Sequence, residues 1–421
     1  MSARARREKE REKETTDVGR GARKDGQGQA KYFTGRAAEA QAQDHPGKKN
    51  NVILVSGHDS ILFFTIVTLV IFGVIMIFSS SYYKAANSAD FGNNMYYFLV
   101  KQGLAVGLGF VGMLVISGIN YHVLGKWLIF GLYLVANGLL VYVRLFGKRI
   151  NGAWRWIEIP VFGSFQPSEF AKIVVIIAIA WYIARDAKRA ATLKGMAFCG
   201  AIALIPCALV FWGNNLSTAM IIGIIAFVMV FASSPYFFRF IAAGAGAVSL
   251  LVGYLAFGGG FRSDRFAIWK NPFLDPTDKG FQTVQSLFAV ASGGLFGLGL
   301  GQSHQKLIFM PEPYNDFIFA IICEELGFFG AAALLGLFVI LIWRGIVVAL
   351  NACDLFGTLI ALGTVVLIAS QVIINVGVVT NTIPNTGIPL PFISYGGTSV
   401  LFIMCMMGVL LNISRYSKKA G

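Results

Sequence analysis

Charged residues are scarce in this chain: 13% of its 421 residues, against 56% hydrophobic, with a mean hydropathy of +0.66. A soluble chain of this length would form two or three domains. This composition cannot cover their surfaces with polar groups, so the chain needs lipid as its solvent. Cysteine is also sparse. Cys199, Cys207, Cys323, Cys353 and Cys405 show no Cys-x-x-Cys spacing and mostly sit in apolar runs. That excludes a disulfide frame or zinc site and leaves small core residues. The four histidines (His45, His58, His122, His304) are too scattered to suggest a metal cluster. Acid is the minority charge, with 21 Asp and Glu against 35 Lys and Arg, giving a formal net charge of +14. Nucleic acid is excluded as the partner, because the positive charge clusters in tails and loops beside apolar runs, the pattern of cytoplasmic loops.

Residues 1–57 have almost no large apolar side chains. They cannot bury enough surface to offset ordering entropy, so they read as a disordered basic tail, either solvated or docked to anionic lipid or a partner. The first apolar run starts near Ile61, behind this tail, which does not fit a cleavable signal peptide.

Ten apolar runs follow, near 61–80, 98–119, 126–145, 169–185, 196–213, 217–233, 239–257, 317–343, 356–379 and 398–413. Each suits a span, which needs ~20 residues to cross ~30 Å of hydrocarbon. The predicted fold is an all-α polytopic membrane protein of ten transmembrane helices in residues 58–415, ending in a short tail at 416–421. Ten spans put both termini on one side. That side also receives Lys188, Arg189, Arg239, Arg344 and the basic end, which makes it the cytoplasm. The outer side receives 81–97, 144–168, 380–397 and a large loop, 258–316, between helices 7 and 8.

Two outer loops break the charge rule. One carries Arg144, Lys148, Arg149 and Arg155; the other carries Arg262, Arg265, Lys270, Lys279 and Lys306. Basic residues on the disfavoured side suit either an anionic ligand, such as a lipid pyrophosphate, or lipid head groups. The large loop also holds Asp275, between Pro272 and Pro276, and each proline restricts its own φ and the residue before it. The carboxylate is thus held on a stiff turn, and the segment reads as an active-site cap with Asp275 as its reactive acid. Gly293, Gly294, Gly297, Gly299 and Gly301 follow, allowing close packing or bends.

Other segments carry weaker signals. Asn151-Gly152 marks a turn, Trp154 and Trp156 suit the membrane interface, and Pro167-Ser168-Glu169 looks like a helix start. Glu169 and Lys172 share a helix face, either as a structural ion pair or as the lining of a polar cavity. Glu324 and Glu325 are adjacent in the eighth run and point ~100° apart, so both cannot face one partner. Residues 380–399, rich in Pro and Gly, form irregular backbone, a candidate wall of the cavity that holds Asp275.

Six stretches together carry a resemblance: NGAWRW, FQPSEFAK, NPFLDPTDKGFQTVQS, GLGLGQSHQKL, MPEPYNDFIFAIICEELG and TGIPLPFISYGGTS. They resemble the SEDS family of polytopic membrane proteins (shape, elongation, division, sporulation), over about Asp59 to Arg415. Gln305-Lys306-Leu307 and Pro311-Glu312-Pro313 look more like the division branch, FtsW, than like RodA. The resemblance implies a peptidoglycan glycosyltransferase that polymerises lipid II at the outer face of the cytoplasmic membrane during septal wall synthesis. It implies Asp275 as the essential acid, a divalent cation (Mg²⁺ or Mn²⁺), a class B penicillin-binding protein transpeptidase as partner, and other divisome proteins. The candidate substrate-binding residues are Arg155, Trp156, Gln166, Glu169, Lys172, Arg265, Lys270, Gln282, Lys306, Asp316 and Ser394; Arg155 is the family-matched cation of the first basic loop. The sequence departs from the family at Asn214-Asn215-Leu216-Ser217-Thr218, where Pro-Asp-Leu-Gly-Thr is common, and at Tyr314-Asn315, where His-Thr is common. The rival readings are a lipid II flippase, a non-catalytic scaffold, and a sporulation or elongation relative. A transporter should carry its charges near the bilayer midplane; here they crowd the outer boundary, which favours chemistry.

Overall fold

A computed structural model describes residues 57–150, 153–159, 163–187, 192–234, 246, 268–275, 280–310 and 312–416. Nine helices among the described residues are long and apolar enough to cross a membrane: α1 (Ser60–Asn87), α2 (Tyr97–Gly118), α3 (Lys126–Phe146), α4 (Pro167–Ala184), α5 (Leu193–Trp212), α6 (Leu216–Ser233), α8 (Ile318–Asn351), α9 (Leu355–Val379) and α10 (Gly397–Arg415). A shorter helix, α7 (Phe281–Ser292), lies in the large loop. Apart from residue 246, the expected span at 239–257 lies outside the described residues, as do the tail 1–56 and residues 417–421.

The helices begin where local chemistry supplies the missing hydrogen-bond acceptors. The Asp59 carboxylate accepts from the Leu62 N–H, Thr192 caps α5, Asn215 caps α6 and Asp354 caps α9. Pro167 opens α4 with Glu169 in the first turn, as its sequence suggests. Helices α4, α9 and α10 are the most enclosed, whereas α2, α3 and α5 turn most of their apolar side chains outward. Leu104, Val111, Trp127 and Leu204 are among those exposed, as lipid-facing residues should be. The strongest packing joins α2 to α10, α8 to α9 and α5 to α6.

Three expectations need correction. Residues 144–168 are not a plain loop: they fold into an antiparallel three-stranded meander, β1 (Lys148–Ile150), β2 (Ala153–Ile159) and β3 (Gly163–Phe165). Alternation in Ala-Trp-Arg-Trp-Ile-Glu-Ile is the period-2 signal that such a ribbon requires. Helix α1 runs on to Asn87 instead of ending near residue 80; Ser79, Ser80 and Ser81 are buried along it, and the Ser79 hydroxyl donates to Glu325 of α8. Helix α8 is not one straight span: at Gly327 the backbone takes φ 66° and ψ −167° and the helix breaks.

The α8 break is satisfied by the glycine-rich loop. Leu298 and Gly299 N–H groups donate to the carbonyls of Glu324 and Glu325, both at 2.9 Å. Phe328 and Phe329 donate back to Gly294 and Leu295, at 2.9 and 3.2 Å. The released backbone groups thus find protein partners inside the bundle, the condition for broken helices at membrane depth. A Cβ on Gly297 would overlap the Glu325 carbonyl, and one on Gly327 would overlap the Gly297 N–H.

Candidate active site

The irregular segment 380–396 lies between α9 and α10, and the candidate residues converge on it from four directions. The first is the Asp275 loop. Trp269 Nε1 donates to the Asn381 carbonyl at 3.0 Å, and Asn381 Nδ2 donates back to the Trp269 carbonyl at 3.2 Å. Between this anchor and Asp275, Asn271 accepts from the Phe273 N–H and opens a single turn, Pro272–Leu274. Asp275 ends that turn with φ −143° and is partly exposed; its carbonyl accepts from the Gly280 N–H at 2.9 Å. Helix α7 is tied alongside through the Ser286 hydroxyl, which donates to the Val379 carbonyl at 2.9 Å. The proline on the near side of Asp275 thus starts the predicted turn, while Pro276 lies outside the described residues.

The second direction is α4. Lys172 Nζ meets Glu169 Oε1 at 2.8 Å, with both side chains buried, and the Ser399 hydroxyl of α10 donates to Glu169 Oε2 at 3.1 Å. Gln166 donates to the Ser168 hydroxyl just before.

The third is the approach to α8. Asn375 Nδ2 donates to the backbone carbonyls of Asp316 and Ile388, both at 2.8 Å, which places Asp316 beside the segment. Tyr395 N–H donates to the Tyr314 carbonyl at 2.8 Å. Burial, with Tyr97 nearby, pushes the Tyr395 phenol to about 12, and burial also raises Tyr314, so both stay protonated at neutral pH. Ser394 is buried and its hydroxyl accepts from the Leu390 N–H at 2.7 Å, which closes the turn of the segment.

The fourth is the ribbon. The Ser217 hydroxyl donates to the Thr386 carbonyl at 2.7 Å, and Arg155 donates to the Asn214 carbonyl at 2.9 Å. Arg144 stacks on Trp154 and Trp212. The stretch between α5 and α6, which departs from the family pattern, therefore joins the site through the Ser217 hydroxyl and the Asn214 carbonyl rather than through a carboxylate. Trp156 is partly exposed on β2.

Some candidates stand apart. Lys306 has no exposed side-chain surface: Nζ meets Glu325 Oε1 at 2.5 Å and the Ser79 hydroxyl at 3.3 Å, beneath the Tyr82 ring. Glu324, as its angle to Glu325 demands, faces elsewhere and accepts from the Ser303 hydroxyl and from the His304 N–H at 2.9 Å. Lys270 is exposed, Gln282 is partly exposed at the start of α7, and Arg265 lies outside the described residues. Sequence reasoning missed Trp269, Asn375, Asn381, Ser399 and Gln102. A polar side chain inside an apolar run was the available signal for Asn375 and Gln102.

The chain resembles known proteins over most of its length. The FTSW_RODA_SPOVE family, described as cell cycle protein, matches residues 59–419. Stage V sporulation protein E of Bacillus subtilis (strain 168) is 40% identical over 363 residues, 85% of this chain and 97% of that protein. The probable peptidoglycan glycosyltransferase FtsW of Geobacter sp. (strain M18) is 38% identical over 372 residues, 87% of this chain and 99% of that protein. Among solved structures, a chain from work on the structural coordination of polymerization and crosslinking by a peptidoglycan synthase complex superimposes with a TM-score of 0.71 at 26% identity, covering 86% of this chain and 99% of that one. The rod shape determining protein RodA of Thermus thermophilus gives 0.64 at 25% identity, covering 87% and 99%. With the family matched from Asp59 to the last residues and a multi-pass helical bundle in place, the chain is a member of the FtsW/RodA/SpoVE family of polytopic membrane proteins.

Proposed function

We propose that this protein polymerises lipid II into glycan strands at the outer face of the cytoplasmic membrane, in septal wall synthesis, beside a class B penicillin-binding protein transpeptidase. It is a peptidoglycan glycosyltransferase by family. The observation that carries the finer reading is the mutual Trp269–Asn381 clasp. It straps the Asp275 loop to the segment that Asn375 ties to Asp316 and that leads into α10, where Ser399 meets the Glu169 of the Glu169–Lys172 pair. The structural relative concerned with polymerization and crosslinking supports a transpeptidase partner. Both termini are cytoplasmic in this reading, which puts the 380–396 segment and Asp275 outside.

The reaction joins the acceptor sugar's 4-hydroxyl to the donor's anomeric carbon and releases the lipid diphosphate. A hydroxyl is a poor nucleophile. Asp275, partly exposed at the end of its turn, takes the proton as general base, worth about 10²–10⁴-fold. Glu169 and Lys172 hold polar groups of the substrate. Among the described residues no three His, Cys, Asp or Glu side chains lie together as a metal cage. In the alternative assignment Asp275 would hold a Mg²⁺ or Mn²⁺ ion and another group would take the proton; a bound ion would supply positive charge to the leaving group.

The test is purified Asp275→Asn protein with lipid II and its cognate transpeptidase, with and without Mg²⁺ or Mn²⁺. Glycan formation should fall by at least about 100-fold while thermal unfolding is unchanged. Full activity would remove Asp275 from the mechanism. Lipid II scrambling by wild type without polymer would select the transport reading. Labelling of a cysteine placed at Lys270 from the cytoplasmic side alone would reverse the orientation.

A further inference from the structure

At the N-terminus of α10 one buried amide donor is left over. The Gly396 N–H donates to Gln102 Oε1 of α2 at 3.3 Å. A backbone N–H can only donate, so the oxygen of the carboxamide must face it and the nitrogen must face away. Gln102 has no exposed surface, and its Nε2 meets no protein acceptor. A buried donor without an acceptor is unfavourable, and its chemistry asks for an oxygen ligand. It stands where such a ligand is favoured for a second reason. Helix α10 is 19 residues long, and its first turn carries partial positive charge and N–H groups with no intrahelical partner. Residues Gly396 to Ser399 are partly exposed, so the turn can be reached. Ser399 hands its hydroxyl to Glu169, whose charge Lys172 balances, so the neighbouring carboxylate adds little net repulsion.

We propose that Gln102 Nε2 and the first-turn amides of α10 seat the diphosphate of the polyprenyl-linked substrate. This rests on the polymerase reading for the identity of the ligand. It also accounts for one cation that is engaged elsewhere: Lys306 is enclosed with Glu325. In this seat backbone and amide N–H dipoles position the diphosphate.

The experiment uses Thr398→Cys protein in nanodiscs, with alkylation at position 398 followed by peptide mass spectrometry. Undecaprenyl diphosphate should slow alkylation several-fold, and undecaprenol should not. Protection by inorganic pyrophosphate as well would show that the diphosphate alone is recognised; protection by the lipid-linked form only would show that the tail is also needed. Either supports the seat. No protection, or equal protection by undecaprenol, overturns it. In Gln102→Leu protein, KM for lipid II should rise about 10-fold with kcat less affected; an unchanged KM also overturns the proposal. If Gln102→Leu does not fold, the alkylation arm decides. Wild-type polymerisation is measured in the same nanodiscs. Polymer without protection removes the seat and keeps the activity, whereas protection without polymer does the reverse.

Discussion

Lys306 sits with no side-chain exposure between Glu325, the Ser79 hydroxyl and the face of Tyr82. Two charges taken out of water together are stable only as a pair, and removing one partner leaves the other uncompensated. Lys306→Met or Glu325→Gln should each cost about 3–5 kcal/mol in unfolding stability. The double variant Lys306→Met with Glu325→Leu should lose clearly less than the sum, as read by thermal unfolding in a double-mutant cycle. Additive losses would mean that the two side chains are not coupled. Glu169 and Lys172 form a second buried pair, but this one opens through Ser399 onto the first turn of α10. Glu169→Gln keeps the shape and removes the charge, so it should lower glycan formation more than it lowers unfolding temperature. The same residue types thus separate by surroundings: one pair ties the large loop to α8 and α1, and the other lies beside the first turn of α10.

Among the elements, α8 depends most on a single backbone event. Its break at Gly327 frees backbone groups that the 293–299 loop pairs with, and at Gly293, Gly297 and Gly327 the two backbones approach so closely that a Cβ would overlap. Gly327→Ala and Gly297→Ala force a left-handed residue with a Cβ into occupied space. Each should destabilise by at least ~1–3 kcal/mol and disturb the Lys306 pair. Gly336, farther along α8, has open space around its Cβ position. Gly336→Ala should be neutral or stabilising by up to ~1 kcal/mol, because alanine favours helix. Equal losses at all three glycines would show that the break is not what the glycines serve.

At the scale of the whole molecule, the end opposite Asp275 is held by a compact network. Asp354 caps α9 and takes hydrogen bonds from Tyr121 and His122, while Asn412 of α10 accepts from the Tyr121 N–H at 3.0 Å. Burial opposes ionisation of Asp354, but the His122 and Tyr121 bonds, the His122 charge and the Gly357 N–H outweigh it, so its pKa lies below the ordinary 3.8. A depressed carboxylate stabilises the fold above its unfolded pKa, and that contribution is lost as pH falls through the folded value. The advantage of wild type over Asp354→Asn should therefore be full at neutral pH and shrink below about pH 4, in unfolding midpoints measured from pH 3 to 7. A constant gap would show that Asp354 acts only as a shape.

Crossing hydrocarbon is a property of one run of residues. The positions of the nine described spans, the Pro167 start of α4 and the turn before Asp275 were therefore legible from composition and caps, as was the irregular backbone from 380, which ends at 396 rather than the expected 399 because α10 starts at Gly397. The Glu169–Lys172 pair was legible for the same reason, since three residues of helix bring it together. The ribbon's alternation was also present in the sequence, though overshadowed by its basic residues. What could not be read locally is which loops meet. Trp269 and Asn381 lie 112 residues apart, and Lys306 could as well have gripped an anion as Glu325. Those choices follow from burial, because a polar group removed from both water and lipid must find its partner wherever the packed helices bring one, and only the tertiary structure decides where that is.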